Sequence, residues 1–214
     1  MVSLDVLWTG RFRPASIACI MSAVDPNHVK KCVEESATTI ASLAGQAEAI
    51  AAAADAVVSA LKAGGKVLTA GNGGSAAEAM HMAEELTGRF RTNRVSLPGI
   101  CLAADGTALT CIANDFGYDE VFSRQVEGLG AAGDVFVLFS TSGNAANLSR
   151  ALESARAGDL TVVALLGRDG GPLHGKADYE ILVAGSATER IQEAHQVVVH
   201  LVLDAVEAAW AGDE

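Results

Sequence analysis

At 214 residues the chain suits one large α/β domain and is long enough to bury a sizeable core. Half of its residues are apolar and 19% are charged, a composition that excludes a disordered chain, and no apolar run approaches the ~18–20 residues a membrane-spanning helix requires. A formal charge of −11 argues against nucleic acid as the main partner, because phosphate backbones are met by clustered Lys and Arg; a small anion is still allowed, since backbone amides at a helix N-terminus hold phosphate without net positive charge.

Residues 1–24 read as an N-terminal extension. Arg11 and Arg13 precede a short stretch, Ala15 to Met21, that imitates a signal peptide, but Pro14 and Ser16 break it, and Met21 is an alternative start. Residues 25–214 read as a single domain. Pro26 suits a first helical turn, after which Val29, Cys32, Val33, Ala37, Ile40 and Leu43 recur at helical spacing. A second, alanine-rich helix runs to about Leu61 and stops at Gly64-Gly65, with small side chains that permit close packing between subunits. Beyond Gly65, short apolar runs alternate with helical stretches: Val67–Ala70, Ile100–Ala104, Val135–Phe139, Thr161–Leu166 and Tyr179–Val183. Such continuous runs fit parallel strands covered on both faces, which predicts a doubly wound α/β/α sandwich with a mainly five-stranded parallel sheet. The last stretch, Glu189 to Trp210, is apolar on nearly all sides and predicts a helix buried in the core or between subunits. Cys19, Cys32, Cys101 and Cys111 lack metal or disulfide spacing and fit reduced thiols in a cytoplasm.

In sheets of this kind ligands bind where strands turn into helices at their carboxyl ends. Two of these turns are rich in Gly, Ser and Asn: Gly71-Asn72-Gly73-Gly74-Ser75 and Ser140-Thr141-Ser142-Gly143-Asn144. Glycines let backbone amides approach an anion and the hydroxyls add donors, although each loop alone also reads as a tight turn with capping residues. Gly71, Gly73 and Ala76 satisfy a dinucleotide fingerprint, but Asp105 lies too far along to serve the ribose, and neither loop carries a Walker lysine. Two hydroxyl-rich loops on one sheet edge favour a sugar monophosphate.

His81 and Glu85 lie four residues apart on the helix opened by Ser75, hence on one face, about 6 Å apart along the axis. They can share a metal or set a base beside one, while the neighbouring Glu84 points about 100° away and reads as structural. In the terminal helix Gln192, Glu193, His195 and His200 interrupt an apolar surface and need specific partners. Gln192 and His200 are about 12 Å apart in helical rise, near the limit for sharing one ion, and Gln196 and Asp204, one turn either side of His200, are placed to orient its ring.

GNGGSAAEAMHMAEELTGRF, IANDFGYDEVFSR, STSGN and RIQEAHQVVVH together resemble the phosphoheptose isomerases of the sugar isomerase (SIS) domain family, from about Asp25 to the C-terminus. The resemblance implies a homotetramer with subunit-interface active sites that converts sedoheptulose 7-phosphate to glycero-manno-heptose 7-phosphate for nucleotide-activated heptose synthesis. It implies one zinc ion per subunit on His81, Glu85, Gln192 and His200. Substrate contacts fall on Asn72, Gly73, Gly74, Ser75, Glu85, Asn114, Asp115, Ser140, Thr141, Ser142 and Gln192. Two departures stand out: Ala145 replaces a serine common in the family's second loop, and Glu189 replaces an aspartate before Arg190. Losing that hydroxyl weakens phosphate binding by about 1 kcal/mol.

Ketose–aldose interconversion moves a proton between adjacent carbons through an enediol, which calls for a base and an acid; Glu85 is assigned the base and His200 the acid. The main rival is a non-catalytic SIS protein that binds a partner, and such proteins lack matches to Glu85 and His200. An SIS isomerase or lyase for another phosphosugar stays open, whereas a Rossmann dehydrogenase lacks its acidic residue.

Overall fold

The computed structural model describes residues 25–211; the extension over 1–24 and Cys19 lie outside them. Two units divide the chain, Met1–Glu35 and Ser36–Glu214. Within the first, the opening turns of helix α1 (Pro26–Ser42) carry the i,i+4 pairs Lys30–Glu34 and Lys31–Glu35, while Val29 and Val33 stand exposed.

The second unit holds the sheet. All five strands pair in parallel: β1 (Val67–Gly71), β2 (Gly99–Cys101), β3 (Val135–Ser140), β4 (Thr161–Gly167) and β5 (Tyr179–Val183), in the order β2-β1-β3-β4-β5. Every residue of β3 is buried, which explains why its sequence is apolar without alternation. Alternation survives in direction. Val135, Val137 and Phe139 enter one core with helices α2 (Ala47–Lys62), α3 (Gly74–Thr87) and α7 (Thr188–Ala209), while Phe136 and Leu138 enter the other. That second layer is built by α4 (Gly106–Phe116), α5 (Ser123–Leu129) and α6 (Ala146–Ala157).

Strand β2 is shorter than the run Ile100–Ala104. Leu102 still gives its N–H to Thr69 O, but Ala104 N–H bonds back to Cys101 O, and Asp105 accepts from the Thr107 and Ala108 amides as the cap of α4. A strong N-cap thus ends the strand early. Because the chain leaves β1 toward β2 on one side and β3 toward β4 on the other, the crevice between the ends of β1 and β3 is the topological switch point.

Candidate active site

Both hydroxyl-rich loops open at this switch point. After β1, Gly73 takes φ +57°, and a Cβ on Gly74 would fall 2.3 Å from Gln192 Nε2, so only glycine lets α7 lay that amide on the start of α3. Ser75, the next residue, is buried. After β3, Ser140 Oγ accepts from the Gly143 amide at 3.0 Å and Ser142 Oγ from the Asn144 amide at 3.3 Å, which leaves each hydroxyl hydrogen available to a ligand. Thr141 is half-buried between them. Ala145, in place of the family's serine, occupies the N-cap of α6 without a side-chain cap. Asn72 and Asn147 join the loops through reciprocal amide bonds, and Tyr118 Oη donates to Asn72. Asn114 and Asp115 sit on the exposed side of α4, Asn114 donating to Asp115 at 2.7 Å.

Along α3, Met82, Ala83 and Leu86 are buried under the sheet-facing stripe, which turns His81 and Glu85 half-exposed toward α7. His81 Nε2 lies 3.2 Å from Glu85 Oε1. Across from them, His200 meets the His81 ring edge-on at 5.4 Å between centroids and is stacked by Phe90 at 5.6 Å. The Gln196 amide nitrogen lies 2.7 Å from His81 Nδ1 and 3.2 Å from His200 Nε2, so one side chain ties both rings. The His81 and His200 imidazoles, from distant parts of the chain, therefore meet within one subunit, with Glu85 beside His81. Asp204 does not take the ring-orienting place: its carboxylate pairs with Arg91 at 2.7 Å, because one further turn carries it past His200 to the loop after α3. Gln192 is placed with the first loop, over Gly74.

Several contributors carry no spacing signal in the sequence. Phe90 reaches His200 because Glu207, nine-tenths buried, accepts hydrogen bonds from the Arg91 and Thr92 amides and the Thr92 hydroxyl, which pins that loop to α7. Arg94 caps the end of α3 by donating to the Glu85 and Leu86 carbonyls. His195 is fully buried and donates from Nε2 to Leu166 O at 3.1 Å, with Nδ1 3.9 Å from the buried Glu78 carboxylate; it holds α7 to β4 as a core histidine.

Whether these groups suit a metal can be judged from their separations. Ligands on a tetrahedral ion at about 2.1 Å lie roughly 3.4 Å apart, and His81 Nε2 and Glu85 Oε1 stand 3.2 Å apart. One atom each of His81, Glu84 and Glu85 falls within 4.8 Å of the others, so Glu84 is in reach despite its helical phase, while His200 stands outside that trio, in ring contact with His81. If His81 Nε2 is given to a metal, Nδ1 carries the proton, and the Gln196 amide, turned over, accepts it through oxygen. The spacing and chemistry of His81 and Glu85 fit two ligands of one zinc ion.

The SIS domain model matches residues 33–167. The phosphoheptose isomerase of Vibrio cholerae is 50% identical over 163 residues, which cover 76% of this chain and 85% of the relative. Among solved structures, a phosphoheptose isomerase from Neisseria gonorrhoeae superposes with a TM-score of 0.79 at 40% identity, over 84% of this chain and 98% of that one. Another from Francisella tularensis gives a TM-score of 0.83 at 34% identity, over 87% and 100%. With these likenesses added to a parallel five-stranded sheet and paired loops at its switch point, the chain belongs to the phosphoheptose isomerases of the SIS domain family.

Proposed function

We infer that this chain is an intramolecular aldose–ketose isomerase that converts sedoheptulose 7-phosphate to D-glycero-D-manno-heptose 7-phosphate; the relatives it resembles are named phosphoheptose isomerases. The observation that carries this reading is the meeting of Glu85, His81 and His200 beside two donor-rich loops at one sheet edge. The loops hold the phosphosugar through Asn72, Gly73, Gly74, Ser75, Ser140, Thr141 and Ser142, with Gln192 above the first of them and Asn114 and Asp115 on the α4 side. Glu85 takes a proton from C1 as His200 gives one to the carbonyl oxygen on C2, which yields the enediol. Glu85 then returns its proton to C2 while His200 takes the proton of the C1 hydroxyl, which leaves the aldose and restores both groups. His81, Glu85, Gln192 and His200 would hold one zinc ion, which when bound polarises the two oxygens and stabilises developing enediolate charge. Gln196 keeps both imidazoles in register for these transfers.

The working form is a homotetramer. Val29 and Val33 of α1 and Leu201 of α7 stand exposed, and an apolar groove between α2 and α7 is lined by Leu43, Ile50, Ala54 and Leu201; a second copy of this chain is the partner that covers them. No helix among the described residues is long and apolar enough to cross a membrane, and the thiols of Cys101 and Cys111 fit a cytoplasmic setting.

Purified enzyme incubated with sedoheptulose 7-phosphate and with several ketohexose phosphates, with and without a chelator, tests the assignment by product identification. The heptose product should dominate, vanish on chelation and return with zinc. No turnover would leave only a binding role, and equal turnover of a ketohexose phosphate would move the substrate to another phosphosugar.

A further inference from the structure

Asn147, the second residue of α6, is 3% exposed and stands outside the substrate, metal and proton-transfer groups. Its carboxamide faces that of Asn72 across the switch point. Asn72 Nδ2 donates to Asn147 Oδ1 and Asn147 Nδ2 donates to Asn72 Oδ1, each at 3.0 Å. The Tyr118 hydroxyl donates to the same Asn72 Oδ1, also at 3.0 Å. A carboxamide has two N–H donors and an oxygen with two lone pairs. Within the protein Asn72 has therefore spent both lone pairs and one N–H. One N–H donor is left, in a plane fixed by the reciprocal pair.

We propose that Asn147 is a positioning and specificity-determining residue that, with Tyr118, fixes the polarity and plane of the Asn72 amide so that it offers its ligand one donor and no acceptor. This rests on the reading that Asn72 touches the substrate, and it says what chemistry that contact selects. A phosphate or carbonyl oxygen of the phosphosugar satisfies the remaining N–H, whereas an ammonium group, as on an amino sugar, finds no lone pair there. The pair also links the two loops, since Asn72 lies in the first and Asn147 follows the second by three residues. Burial raises the stakes: the buried Asn147 amide needs its partner, and without it the half-buried Asn72 amide keeps only the Tyr118 hydroxyl, which can also accept, and can turn to present oxygen in place of nitrogen.

A double-mutant cycle tests the proposal, with kcat and KM for sedoheptulose 7-phosphate, zinc content and thermal midpoint measured on each variant. Asn147→Ala should raise KM by about five- to tenfold while kcat stays within about twofold, the loss expected when one amide contact to substrate is misdirected. In an Asn72→Ala background the same substitution should raise KM no further. Tyr118→Phe, at a position 60% exposed, removes a single bond without disturbing the core and should show the same dependence on Asn72 with a smaller rise; it carries the test if Asn147→Ala does not fold. Equal rises in both backgrounds, or a loss of kcat at unchanged KM, would overturn the proposal. An unchanged KM in Asn72→Ala alone is a separate result: it removes the substrate contact itself, and the proposal with it.

Discussion

Gln196 and Ala145 show how a single side chain sets the quality of this site. Gln196 is bonded to both imidazoles, so Gln196→Leu should weaken zinc binding by about 10- to 100-fold and lower kcat in step, as loss of a ligand-orienting partner does; metal titration and steady-state kinetics measure the two effects. Ala145 leaves α6 without a side-chain cap. Restoring a hydroxyl with Ala145→Ser should stabilise the fold by about 1 kcal/mol in denaturant titration and tighten inhibition by inorganic phosphate. The i,i+4 spacing made His81, Glu85 and Gln196 legible in the sequence, because helical periodicity alone decides which side chains share a face. Asp204 obeyed the same periodicity, yet it pairs with Arg91. Its partner comes from a loop whose path no local pattern encodes, and for the same reason Phe90 and Asn147 carried no signal.

Among the elements, the loop after α3 depends most on one buried carboxylate. Burial pushes the Glu207 carboxyl up, but hydrogen bonds from Thr92 and the Arg91 and Thr92 amides, with the charge of Arg94, outweigh it and hold the group below its usual range. A pKa lowered by folding gives stability that is complete above the unfolded value near 4 and is lost as pH falls through the folded one. Asp134, just before β3, acts in the same sense: burial raises its carboxyl, while Lys66 and the Ala131 amide bring it lower overall. Acid unfolding should therefore flatten in Glu207→Gln, with stability lost at pH 7 and little difference from the parent below the folded pKa; denaturant midpoints at several pH values measure this. The same variant should lower kcat, because Phe90 loses its anchor over His200. Strands and long helices were legible from continuous apolar runs and helical spacing. Strand β2 ends three residues before the apolar run Ile100–Ala104 does, since apolar Leu102 packs into the core after the ladder has ended. Hydrophobicity reports burial, and only the Asp105 cap reports where pairing stops.

For the whole molecule, strand–helix alternation made a doubly wound sheet legible, and the donor-rich loops read from the sequence fall at its switch point. Oligomeric state is a matter of surface, where sequence patterning is weakest. Light scattering should give a tetramer, and Leu201→Glu, which sets a charge in the apolar groove between α2 and α7, should shift it toward smaller species. The central claim is that Glu85 carries the proton between the two carbons. The most direct measurement follows sedoheptulose 7-phosphate by NMR in deuterated buffer with wild-type enzyme and with Glu85→Gln. Wild type should form the aldose with solvent deuterium entering at the reacting carbon, whereas Glu85→Gln should lose turnover by a factor of about 100 or more, with its thermal midpoint and phosphate binding retained. Turnover by Glu85→Gln at near the wild-type rate would contradict the account.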